Sequence, residues 1–153
     1  KAEGYSKFQI GAALFAFLFL GGIASLLSPK FERKIGTANV FYFSMITTCP
    51  LMLLFMLTYK TFPAVSFVIF AVIGFVTMFA TPVTMSMAQK VLPQYKSIIG
   101  GFINGFSWGV VAIVMSIVGY VAQATSIVPV LMVISIIPAV SSRLVKYLFQ
   151  EQE

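Results

Sequence analysis

The sequence predicts an all-α membrane protein with five transmembrane helices, and three observations carry that expectation. Of its 153 residues, 59% are hydrophobic and only 9% are charged, whereas globular chains carry about 25% charged residues. Uncharged stretches recur at membrane-crossing length, since a spanning helix needs roughly 20 apolar residues to cross about 30 Å of hydrocarbon at about 1.5 Å each. The Lys and Arg residues fall at the ends of those stretches or between them. Lipid, not a folded interior, is therefore the solvent for most of this chain.

The predicted spans cover 8–28, 38–59, 64–88, 98–122 and 127–148 within a single transmembrane domain over 1–153, and the connections between them are short. Their length favours helices over barrel strands, which would be about 10 residues of alternating polarity. The chain begins with Lys1 and the polar run to Lys7. That opening lacks the basic end, short apolar core and small-residue cleavage site of a signal peptide. It reads as a loop between two spans, and the chain as a piece of a longer protein.

Alternate threading puts Lys30, Arg33, Lys34, Lys90, Lys96, Arg143 and Lys146 on one side, and Lys1, Lys7 and Lys60 on the other. Short loops rich in Lys and Arg stay in the cytoplasm. The expected protein is thus a multi-pass protein of the cell membrane with a cytoplasmic C-terminus and an extracytoplasmic opening. The net charge of +6 follows from this topology and from anionic lipid, with no nucleic acid needed as a partner. Tyr5, Tyr42, Tyr59, Tyr95, Tyr120 and Tyr147 lie at or near span ends, where an amphipathic ring prefers the headgroup zone. Trp108 sits near the middle of the fourth span, so its indole N–H is expected to face protein or a cavity.

Pro50, Pro82 and Pro138 lie inside spans, where each removes a backbone hydrogen bond and bends the helix unless a neighbour compensates. Pro29 and Pro93 are read as lying in connections, and Pro63 and Pro129 at or near helix starts. Gly101, Gly105 and Gly109 recur every four residues and offer one helix face to a closely approaching backbone, either as plain packing or as a sliding seam. Gly21 and Gly22 offer a shorter contact of the same kind.

Thr77, Thr81 and Thr84 fall at spacings of four and three in the third span, with Gly74 and Ala88 extending the same face. That face is the candidate cavity lining, although threonine hydroxyls can instead bond carbonyls of their own helix. Asn104 and Ser107 add polar groups to the fourth span, and a carboxamide in hydrocarbon needs hydrogen-bonding partners. No acid or base lies in a span away from its ends, so no ion or proton relay is visible. Without His or Asp, and with Glu3, Glu32, Glu151 and Glu153 all outside the spans, no catalytic triad, metal site or paired carboxylate can be drawn. The chain is therefore not expected to be an enzyme or to need a cofactor. Cys49, the lone cysteine, reads as packing filler.

The order of these features resembles the C-terminal half of a major facilitator superfamily transporter, in particular the fosmidomycin-resistance-like efflux branch. The segment 8–27 with the basic connection Lys30, Phe31, Glu32, Arg33, Lys34, Ile35 and Gly36 is similar to that fold's eighth helix and cytoplasmic loop. The stretches 81–93 and 100–109 are similar to its tenth and eleventh helices. The loop departs from the family pattern, because Gly36 is followed by Thr37 and Ala38 instead of a further basic pair.

The resemblance implies that the five spans are helices eight to twelve, partnered by the N-terminal helices of the same transporter and by a small-molecule substrate. It places Thr77, Thr81 and Thr84 beside a substrate path, Asn104, Ser107 and Trp108 near its edge, and Gly21, Gly22, Gly101, Gly105 and Gly109 at the seam between halves. A proton-coupled antiporter for efflux of a drug-like or metabolite molecule is the expected function. A non-transporting membrane scaffold or assembly subunit is the rival reading.

Overall fold

The computed structural model describes residues 6–125 and 127–150. Lys1, Glu3, Tyr5, Ser126, Glu151 and Glu153 lie outside the described residues. The described chain is helical: α1 is Lys7–Ile35, α2 Thr37–Thr58, α3 Pro63–Phe79, α4 Thr81–Val91, α5 Lys96–Ala124 and α6 Ile127–Gln150, with a 3-10 turn at Pro93–Tyr95. Among the described residues, four segments are long and apolar enough to cross a membrane: Lys7–Ile35, Thr37–Thr58, Pro63–Lys90 and Pro93–Ala124. A fifth apolar stretch, Pro129–Pro138, is shorter. This is an all-α membrane protein.

Helix α1 starts at a capping box. Ser6 Oγ accepts from the Gln9 N–H at 3.2 Å, and the Gln9 carboxamide oxygen accepts from the Ser6 N–H at 2.8 Å, which satisfies two donors that a helix start leaves open. The basic run from Lys30 to Lys34 and Pro29 were read as a connection, but they are helical. Charge does not end a helix, and one proline forfeits only one N–H. The stop is Gly36, whose φ of +83° is a backbone region that residues with a Cβ rarely adopt. That single glycine joins α1 to α2, and its N–H donates to the Glu32 carbonyl at 2.9 Å.

Helix α3 is the centre of the fold, packed along α1 and α2. Close approach to α1 rests on two glycines. A Cβ on Gly74 would lie 2.8 Å from Phe17 Cγ, and one on Gly21 would lie 2.7 Å from Met78 Cγ. Backbones can meet this closely in a membrane only where small residues face each other. Ala24, Val40, Phe79 and Val83 form the buried apolar cluster, with Phe41 and Phe75 against it. Helix α6 lies on α2, while the chief contacts of α5 are with α4, the 3-10 turn and α6. No described residue of α5 is buried.

Candidate substrate path and helix break

The third span is not one continuous helix. Helix α3 stops at Phe79 and α4 begins at Thr81, with Ala80 between them. Pro82 supplies the cause, because it has no N–H to offer the Met78 carbonyl one turn back. In hydrocarbon such a carbonyl cannot turn to water and needs a protein partner. Ser25 Oγ on α1 donates to the Met78 carbonyl at 3.2 Å. Ser28 Oγ, also on α1, donates to the Phe79 carbonyl at 2.5 Å. Ser44 Oγ on α2 donates to the Val76 carbonyl at 2.7 Å.

Two neighbouring helices thus supply the donors that the end of α3 leaves unmet. Ser28 and Ser44 are buried, so these bonds are shielded from competing solvent. Ser44 extends the network, since its own carbonyl accepts from Thr48 Oγ1 at 2.7 Å, two residues before the α2 proline Pro50. Around the break, the Phe79 ring meets Phe31, Phe43 and Phe75 at centroid distances of 5.4, 6.5 and 5.9 Å. The serines were not singled out in the sequence, and the proline at the following turn was the available signal.

The break also divides the threonine face. A shared face for Thr77, Thr81 and Thr84 assumes an unbroken helix, but Thr77 ends up on α3 while Thr81 and Thr84 stand in the first turn of α4. Thr77 Oγ1 donates to the Ile73 carbonyl at 2.8 Å and Thr84 Oγ1 to the Ala80 carbonyl at 3.0 Å. Both hydroxyls are therefore engaged on the local backbone. Thr81 and Thr84 are exposed and Thr77 is half-buried.

Asn104, Ser107 and Trp108 are all exposed on α5, and Trp108 is 67% exposed. The two polar sets lie on different helices that come together near Gly100, where an added Cβ would meet Gln89 Nε2 at 3.8 Å and Met85 Sδ at 3.9 Å. A Cβ on Gly101, Gly105 or Gly109 would meet nothing within 4 Å, and the same holds for Gly22. Phe102 and Phe106 stack on this helix at 4.9 Å with both rings exposed. Pro138 lies inside α6.

Where α1 ends, Glu32 ties the turn together. Its carboxylate lies 3.6 Å from Lys90 Nζ on α4 and accepts from Thr37 Oγ1 on α2 at 3.0 Å. The pair brings the end of α1 to the end of α4. Lys30, Arg33 and Lys34 stand on the same last turns of α1, and Gly36 closes them.

Comparison with known proteins adds a resemblance to this geometry. No family model matches the sequence, and no solved structure matches it. Over 130 residues, 85% of this chain, it is 26% identical to an uncharacterized MFS-type transporter of Bacillus subtilis, YfnC, of which it covers 31%. Over 114 residues, 74% of this chain, it is 29% identical to the fosmidomycin resistance protein of Escherichia coli, of which it covers 27%. The chain resembles part of a major facilitator transporter. The match spans less than a third of the length of either relative.

Proposed function

We propose that this chain supplies helices eight to twelve of a secondary active transporter, working with the N-terminal helices of the same protein. The observation that carries the reading is α5, a helix apolar enough to span a membrane yet with no buried described residue and four glycines, Gly101, Gly105, Gly109 and Gly119, facing open space. Such a face is built for another backbone, and transporters of this kind place their substrate site between two halves that rock against each other. Gly101, Gly105 and Gly109 then form the seam. Thr77, Thr81, Thr84, Asn104, Ser107 and Trp108 border the path.

The break at Ala80 gives the path a joint. With the end of α3 held by serines of α1 and α2, α4 can tilt without exposing bare carbonyls to lipid. The direction we infer is efflux of a small drug-like or metabolite molecule, in line with the resistance protein among the relatives. Away from their ends the spans offer no acid or base, so the proton-coupling group of this antiporter is assigned to the other helices. The basic end with Lys30, Arg33, Lys34 and the C-terminus faces the cytoplasm of the cell membrane in this reading.

Flux through the full-length protein tests it. Asn104→Leu and Thr81→Val should each lower transport at least several-fold while the amount of folded protein in the membrane is kept. Unchanged flux in both variants would favour a scaffold or assembly role instead.

A further inference from the structure

The turn that joins α4 to α5 holds a polar pocket of about 420 Å³. Ser86, Gln89 and Lys90 of α4 line it, together with Pro93 of the 3-10 turn and Lys96, the first residue of α5. Every polar side chain in that lining can donate a hydrogen bond, two of them carry positive charge, and none is a carboxylate. Ser86 and Gln89 are half-buried, and neither side chain has a hydrogen-bonding partner among the described residues. Helix α5 starts here without a side-chain cap and without an acidic residue in its first turn, so the positive end of its dipole adds to the same field.

The charges at the pocket do not cancel. Lys90 Nζ lies 3.6 Å from the Glu32 carboxylate, which is the one carboxylate side chain among the described residues and also accepts from Thr37. Lys96 is exposed and forms no ion pair among the described residues. An unneutralised ammonium with two further donors suits the several acceptor oxygens of a phosphate, which lysine recognises as a point charge.

The depth of the pocket names the source of that phosphate. Of the membrane-crossing segments, Pro63–Lys90 ends at its wall and Pro93–Ala124 begins there. Leu92, Tyr95 and Ile98, in the same turn and the start of α5, are all exposed. Aromatic and apolar side chains beside cations mark the headgroup zone, and basic pockets between membrane helices take anionic lipid headgroups. A phosphate ion in solution would gain nothing from those apolar neighbours.

We propose that the pocket between α4 and α5 binds the headgroup phosphate of an anionic phospholipid through Lys96, with Ser86 and Gln89 donating to its oxygens and Lys90 shared with Glu32. None of the lining residues belongs to the proposed substrate path, so the lipid site holds whether or not the protein exports anything.

Native mass spectrometry of the full-length protein in detergent, titrated with phosphatidylglycerol or phosphatidylcholine, counts bound lipids one at a time. The expected result is a first phosphatidylglycerol held several-fold more tightly than phosphatidylcholine. Lys96→Gln should abolish that preference, whereas Lys34→Gln, which removes the same charge outside the pocket lining, should keep it. Gln89→Leu leaves the charge unchanged and should still weaken the first phosphatidylglycerol several-fold. Inorganic phosphate in large excess should not displace the lipid. Equal affinity for the two lipids, a preference that survives Lys96→Gln or falls equally in Lys34→Gln, or no effect of Gln89→Leu would each overturn the proposal. Displacement by inorganic phosphate would overturn it too, by marking a site for a soluble anion.

Discussion

Helix α3, continued by α4, and helix α5 each belong to a segment long and apolar enough to cross a membrane, yet their surroundings are opposite. Seven residues of α3 are buried, from Ser66 to Phe79, and none of the described residues of α5 is. Their glycines differ in the same way: a Cβ on Gly74 would collide with Phe17, and one on Gly105 would meet nothing within 4 Å. In lipid no hydrophobic drive pushes helices together, so association follows shape and hydrogen bonds. Apolar composition therefore puts both helices in the membrane, while fit decides which one this chain packs for itself. Helix α3 completes its packing within the chain, while the described part of the chain leaves α5 largely uncovered.

The sharpest way to break that contrast is to empty the centre. Phe79 is 4% exposed and touches three other rings, so Phe79→Ala should destabilise by about 3–5 kcal/mol, whereas Phe106→Ala on α5 should cost well under that. Thermal unfolding in detergent, followed by loss of helical circular dichroism, reads both. If the two variants fell equally, α3 would not be the special helix.

Filling should discriminate next. Gly74→Ala is expected to cost about 1–3 kcal/mol by overpacking, because the atoms it meets include Phe17 backbone as well as its ring. Gly105→Ala should change the chain's own stability by less than about 1 kcal/mol, with alanine favouring the helix. The same thermal measurement applies, and equal costs at both glycines would argue against the difference in fit.

A smaller effect is expected at the break. Ser28→Ala leaves the Phe79 carbonyl short of a donor, and Ser44→Ala does the same to Val76. Each should cost about 1 kcal/mol, since interhelical hydrogen bonds in membranes average near 0.6 kcal/mol. Amide hydrogen exchange in α4 should quicken in either variant, and exchange that stayed unchanged would show that the serines do not hold the joint.

The smallest effect belongs to the end of the helices. Lys90 is 71% exposed, and exposed ion pairs contribute about 0–1 kcal/mol. Glu32→Gln should therefore cost less than about 1 kcal/mol and less still in high salt, because screening weakens the pair. A loss that grew with salt would contradict this assignment.

The helical, membrane-crossing character was legible because hydrocarbon leaves no choice: charge must be absent over a fixed length, and every backbone group must be paired. Helix ends were less legible. The extension of α1 through Pro29 to Ile35 was missed because basic residues signal a membrane boundary, which is not the same as a helix boundary. Pro82 announced a disturbance in the third span, but not that Ser25, Ser28 and Ser44 would answer it. A serine in an apolar helix can bond its own backbone or a neighbour's with equal ease, and only the packing of α1 and α2 on α3 makes the choice. Gly74 drew notice as an extension of the threonine face, while its close approach to Phe17 depends on a crossing point that sequence spacing does not encode. For α5 the sequence and the structure stop at the same place, a face with small residues and polar groups that the described helices leave uncovered.

That face can be interrogated directly. In an otherwise cysteine-free full-length protein in membrane vesicles, Asn104→Cys is treated with a water-soluble maleimide, with and without a transported compound. If the face of α5 borders a path between two halves, the cysteine is labelled and the compound protects it. A cysteine that water-soluble reagent never reaches, and that lipid-dissolved reagent modifies regardless of compound, would mean α5 faces lipid and would contradict the account.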